Sequence, residues 1–266
     1  MCITNLFHPT LTIKNKNGVI NVFYLGEDKD SYLICDNKRI DLSSHSQKLS
    51  FQNNAVGLFL GNQPKYTLNI ESENGYIRVE SFVGHGLNLK TNDGNITVYR
   101  SIEKELSTIS NNGNIIVHSS MANHLDLVNY NGHTSFSEIA ATKGIITSNN
   151  GKINIQDAAF AEKLSIRSRN GCLNGSNIAA REFSIYSEAD IALKNVATNN
   201  FLANTTSDVT LSLNGKKEDY NYSIFSLAEE IKETKEKWFT ESSTPKKKLF
   251  IKSTEGDVHV HYLGSK

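Results

Sequence analysis

His259 and His261 stand two residues apart near the C-terminus of this 266-residue chain. On a strand, that spacing puts both imidazoles on one face, where they would supply two of the ligands a metal needs. No third ligand lies at a useful spacing, so the two read as exposed histidines and no metal is expected. Glu71, Glu73, Glu80 and Asp93 are the acids best placed to line a sugar-cleaving groove. Glycoside hydrolysis needs two carboxylates held at a fixed separation. These acids do not recur at one position of successive repeats, and solvated strand faces account for them better. Gly84-His85-Gly86 is too short to cradle a phosphate and opens no helix. Cys2, Cys35 and Cys172 are odd in number and far apart, which suits neither a disulfide framework nor a zinc site. No catalytic residue, cofactor or cofactor-binding residue is expected.

Composition narrows the partners. The chain carries 28 basic and 28 acidic side chains, a formal net charge of zero. Nucleic acid is therefore not expected, because phosphate binding relies on a surplus of Lys and Arg. Thirty-one Asn and 17 Gly against 3 Pro indicate many tight turns. Residues 1–10 lack a basic start followed by an apolar run, so no signal peptide is expected. No window approaches 18 consecutive apolar residues, so no membrane span is expected either. The default location is the cytoplasm, and export by a signal-independent route would leave the same trace.

The elements that would position these residues repeat. Leu68 to Val79, Leu87 to Val98, Leu106 to Val117, Leu125 to Phe136 and Gly144 to Ile155 align without gaps. Their turn glycines, Gly75, Gly94, Gly113, Gly132 and Gly151, are each 19 residues apart, and Gly171 follows after 20. The frame recurs around Gly18 and Gly256, and weaker copies without the glycine are read at Ile40 and Leu42, Leu49 to Leu60, Phe183 to Leu193 and Leu202 to Leu211. Asn74, Asn112, Asn131, Asn150 and Asn170 precede the glycine in their turns, and Asn and Gly both tolerate positive φ. Apolar residues two apart flank each turn, as in Leu68 and Ile70, then Ile77 and Val79. That alternation means two short strands per repeat, each with one face buried.

The expected fold is all-β: a single-stranded β-solenoid, or β-helix, of about 12 coils with repeats of about 19 residues. It is read as a single β-solenoid domain over residues 1–266. A hairpin meander is the alternative, because Asn-Gly also favours two-residue hairpins and would set Ile70 opposite Val79. Constancy of residue type in each column favours stacking.

The segments Ser72-Glu-Asn-Gly-Tyr-Ile, Thr91-Asn-Asp-Gly-Asn-Ile, Ser110-Asn-Asn-Gly-Asn-Ile and Ser148-Asn-Asn-Gly-Lys-Ile carry a resemblance. From about Leu11 to Leu211 the chain resembles the bacterial DUF4097 family of adhesin-like β-solenoids. The resemblance implies a solenoid and an adhesin-like role, and it supplies no catalytic residues. The missing export signal is a departure from that family's pattern.

One stretch breaks the rhythm. Ile224, Leu227, Ala228 and Ile231 follow helical spacing, with Glu229, Glu230, Glu233 and Glu236 alternating with Lys232, Lys235 and Lys237. The spacing predicts a helical insertion over 214–248, before the last coil. It would act as a cap on the solenoid or as a partner-binding element.

The function expected is a non-enzymatic structural or interaction protein that presents a solenoid surface to a protein or carbohydrate partner. Self-association through solenoid ends or faces is a second use of such a surface. A carbohydrate-active enzyme on a β-helix, and a bacterial effector delivered without a signal peptide, are the rival readings.

Overall fold

The computed structural model describes residues 10–24, 31–35, 38–42, 47–52, 55–60, 67–226 and 247–264. The chain divides into two compact units, Met1–Leu127 and Val128–Lys266.

The first unit holds β1 (Thr10–Asn15), β2 (Ile20–Tyr24), β3 (Tyr32–Cys35), β4 (Lys38–Asp41), β5 (Gln47–Phe51), β6 (Val56–Leu60), β7 (Thr67–Ser72), β8 (Ile77–Glu80), β9 (Gly86–Thr91), β10 (Ile96–Tyr99) and β11 (Ile102–Ser110). β12 (Ile115–Asn129) begins in it. Parallel pairing decides between solenoid and meander. Ile70 lies beside Ile13 on one neighbouring coil and Leu89 on the other. On the second strand of the coil, Ile96 lies between Ile77 and Ile115. Like residues stack on like because a one-residue slip would turn every apolar side chain outward.

Ile115 is wholly buried. Ile115→Ala removes most of a core side chain and leaves a cavity, so a loss of about 3 kcal/mol is expected. Urea unfolding checks it, and a loss below about 1 kcal/mol would mean that the column packs loosely.

The stacking order departs from the sequence order at the N-terminal end. β1 sits between β5 and β7, and β2 between β6 and β8. β3 then pairs antiparallel with β6, and β4 antiparallel with β3. The coil expected at Ile40 and Leu42 is therefore a hairpin, with Ile40 exposed on β4. An antiparallel strand bearing Lys38, Arg39 and Asp41 is a poor template for further parallel strands.

The second unit holds β13 (Thr134–Ser148), β14 (Ile153–Ser168), β15 (Leu173–Ser187), β16 (Ile191–Thr205), β17 (Val209–Leu213), β18 (Tyr220–Ser226), β19 (Lys247–Ser253) and β20 (Val258–Tyr262). β13 to β16 pair in parallel in sequence order, stacking Ile153 on Leu173 on Ile191 and Leu164 on Phe183 on Phe201. β19 pairs with β16 and β20 with β17, while β18 lies on the far side of β19.

The fold is thus a single-stranded β-solenoid of about eight turns at a spacing close to 19 residues, not of about twelve. Apolar columns alone overcount it. They cannot separate a coil that follows its neighbour from a hairpin such as β3–β4 or a strand added out of order such as β18.

The predicted helical insertion over 214–248 is corrected as well. Its described residues, 214–226 and 247–248, hold a short 3-10 turn at Lys217–Asp219, then strand β18, and the start of β19. Ile224 lies on β18 beside Ile251 of β19. The run Tyr220-Asn-Tyr-Ser-Ile-Phe-Ser is rich in strand-forming residues, and pairing with β19 outweighs the 3.6-residue period read through Ile224. Leu227, Ala228, Ile231 and the alternating charges lie outside the described residues.

Candidate functional site

The glycine-bearing coils turn sharply at that Gly, and the reason is a close approach between neighbouring coils. Gly94 and Gly113 do not lie in the left-handed region expected of them; among the described glycines only Gly18 and Gly215 do. A Cβ on Gly94 would sit 1.8 Å from the Gly75 carbonyl oxygen, and one on Gly113 would sit 1.8 Å from that of Gly94. Gly75 has the same relation to Gly18, and in the second unit Gly151 has it to Gly132 and Gly171 to Gly151. At Gly256 a Cβ would meet the backbone of Ser207 and Asp208. The turn glycines form a column in which each carbonyl occupies the space a side chain would need.

The asparagines form a second column outside the first. The amides of Asn17 and Asn74 meet at 2.7 Å, and Asn112 donates to Asp93. Asn150 donates to Asn131 at 2.7 Å and Asn170 to Asn150 at 2.8 Å. These amides tie neighbouring turns together along the stack.

Two groups of residues escaped the sequence reading. The first is the hydroxyl three residues before the glycine. Ser72, Thr91 and Ser110 are buried and accept from the backbone N–H of Gly75, Gly94 and Gly113 at 2.9, 3.0 and 2.9 Å. Asn129 takes that place for Gly132 and Ser253 for Gly256. The signal was present as the recurring Ser/Thr-x-x-Gly, because a short polar side chain readily mimics a backbone partner in a turn.

The second group is a corner with positive φ at Ser81, Arg100, Ser119, Glu138, Asp157, Asn177 and Asn195, each between 50° and 56°. Such a backbone disfavours most side chains and suits Asn. Arg100 is exposed, so Arg100→Asn should relieve strain and raise stability by about 0.5–1 kcal/mol. A shift of the thermal midpoint downward would contradict it.

His259 and His261 are exposed on β20, beside Thr210 and Ser212 of β17. Among the described residues, no group of three or more His, Cys, Asp or Glu side chains stands together to hold a metal ion. Glu71 faces Lys14, Glu80 pairs with Arg78 at 2.7 Å, and Asp93 accepts from Asn112. Each of these carboxylates thus meets a basic or amide partner. Among the described residues, no helix is long and apolar enough to cross a membrane.

Among the described residues, Glu103 is the most perturbed acid. It lies on β11, only 6% exposed, and burial pushes its carboxyl from an ordinary 4.5 up to about 8, against a smaller lowering by Ser101. The Ser101 hydroxyl lies 3.2 Å from Glu103 Oε1 and 3.0 Å from Ser120 Oγ, and Ser120 donates to the His118 carbonyl at 3.0 Å. One proton order completes this chain: a neutral Glu103 donates to Ser101, Ser101 to Ser120, and Ser120 to the carbonyl. Glu103 Oε2 has no partner, which a neutral carboxyl tolerates better than a carboxylate. So enclosed, Glu103 is a structural group.

Two shallow grooves lie on the outer faces. In the second unit, about 480 Å³ is lined by stacked Ala140, Ala159, Ala179 and Ala197, with Arg181 and Lys247 beside them. In the first unit, about 420 Å³ is lined mainly by Lys, Asn, Thr and Ser of β1, β5, β7, β9 and β11.

No curated protein and no solved structure matches the chain. A family model described as Toastrack DUF4097 matches residues 99–261, more than half of the sequence. The matched span includes the glycine and hydroxyl columns from Ser110 and Gly113 to Ser253 and Gly256, and with it the stacked repeat described above. The chain belongs to the Toastrack DUF4097 family.

Proposed function

We propose that this protein is a repeat scaffold whose solenoid faces present rows of side chains to a partner, in an adhesin-like role. The observation that carries the reading is the regularity of the outward rows. On the first unit, Thr12, Asn69, Asn88 and Ser107 fall one per coil on adjacent parallel strands. Backbone pairing fixes their spacing, so a partner meets a pre-ordered lattice and loses little affinity to ordering it. Three of the four acids named for catalysis, Glu71, Glu80 and Asp93, are engaged by Lys14, Arg78 and Asn112, which weighs against the glycosidase reading.

Capture of surface material from native host cells on immobilised full-length protein tests this. A variant with Thr12, Asn69, Asn88 and Ser107 replaced by Ala should keep its strand circular dichroism and lose a defined captured component. Equal capture by both proteins would remove this face from the reading.

A further inference from the structure

We propose that the groove on the first unit binds a linear polysaccharide carrying carboxylates, an inference that rests on the scaffold reading above. Two parallel rows of side chains make the groove. The first runs Lys48, Thr12, Asn69, Asn88, Ser107 across β5, β1, β7, β9 and β11. The second places Lys14 beside Glu71 and Glu71 beside Lys90.

Hydrogen-bonding capacity is held at the coil spacing. Asn88 Nδ2 donates to Asn69 Oδ1 at 2.8 Å, and Asn69 Nδ2 lies 3.5 Å from Thr12 Oγ1. Each amide spends one N–H on its neighbour, and an amide has two. The ladder therefore fixes the amide planes and leaves donors for a ligand. Adjacent coils are about 4.8 Å apart, close to the length of one pyranose residue in an extended glycan. A polymer of sugars lying along the stack would meet a fresh amide or hydroxyl at each coil.

The charges select among glycans. Lys14 is engaged by Glu71, whereas Lys48 and Lys90 have no ion-pair partner among the described residues. They lie on strands three coil spacings apart, roughly 14 Å at about 4.8 Å each. A single small anion cannot bridge that distance, but carboxylates repeated along a chain can. Nucleic acid fits less well: the whole chain is neutral, and the groove offers neither arginine nor an aromatic ring for stacking. Its floor residues Ile70 and Leu89 are buried, so an apolar segment would find little to cover.

Titration calorimetry of the full-length protein with alginate oligomers tests the proposal, with neutral dextran, poly-glutamate and single-stranded DNA as comparisons. Saturable binding of alginate is expected, weakening as salt is raised. The double variant Lys48→Glu/Lys90→Glu should keep its circular dichroism and bind alginate at least tenfold more weakly. Asn88→Leu should weaken it too without changing charge. The proposal is overturned if alginate does not saturate the protein, if poly-glutamate or DNA binds equally well, or if the double variant binds like the native chain. Should alginate fail while the four-alanine face variant still loses its captured component, the ligand is wrong and the scaffold stands. If both fail, the scaffold reading of this face falls as well.

Discussion

Gly94→Ala is expected to cost about 4 kcal/mol or more, beyond the range of ordinary point substitutions. The new methyl would lie 1.8 Å from the Gly75 carbonyl oxygen and 2.9 Å from Thr91 Oγ1. The carbonyl is main chain, and its neighbours Asn74 and Tyr76 are hydrogen-bonded to Lys16 and Ile20 of the adjacent coil, so it cannot rotate away as a side-chain tip would. Relief requires the two turns to part, which breaks the Asp93 N–H bond to the Glu73 carbonyl and the Thr91 hydroxyl bond to the Gly75 carbonyl, and disturbs the stacking of Gly113 on Gly94. For a fold with the usual net stability of about 5–15 kcal/mol, that is a large fraction. Chemical denaturation of the native chain and Gly94→Ala measures it. A loss under about 1 kcal/mol would show that neighbouring turns part easily and that the glycine column is not a steric requirement.

Stability should fall as pH rises through the neutral range, and Glu103 should be the cause. Its carboxyl titrates near 8 in the folded chain against an ordinary 4.5, so the folded state binds the proton more tightly than the unfolded state. The protonated form's contribution is fully present below about 4.5 and is lost as pH climbs through about 8. At about 1.4 kcal/mol per pH unit between those limits, the loss from pH 5 to pH 9 is about 4 kcal/mol. Glu103→Gln keeps the shape and a donor toward Ser101 and cannot ionise. Its stability should be nearly flat over the same range and exceed that of the native chain at pH 9. Unfolding curves at several pH values decide the matter; parallel slopes for the two proteins would assign the dependence to other groups.

Much of the repeat was legible in the sequence because its causes are local. Leu68 and Ile70 alternate with outward polar residues, and the same types return after 19 residues at Leu87 and Leu89. A parallel ladder in register is the arrangement that lets each such column bury itself against its own copies. The turn glycines were legible as positions, but their reason was misjudged. Composition suggests positive φ for Asn-Gly, whereas Gly94 is required by a carbonyl from the neighbouring coil. The corner that does adopt positive φ is occupied by Ser, Arg, Glu, Asp and Asn, which carry no common signal.

Tertiary structure alone decided three things. β1 entered the stack between β5 and β7, which brought Lys14 and Lys48 to one groove with Lys90. Every coil has nearly the same apolar columns, so any coil can stack on any other, and pairing energy cannot name the neighbour from one sequence. Ile224 joined a strand because β19 offered it a backbone partner, which a helical pattern read along the chain cannot foresee. Glu103 became a buried acid because its coil folds that position inward beside Ser101 and Ser120. The chain's own order determined the repeat and its period, through alternation that each coil carries within itself. Which coils meet, and which side chains they bring together, depended on contacts between residues as far apart as Lys14 and Glu71.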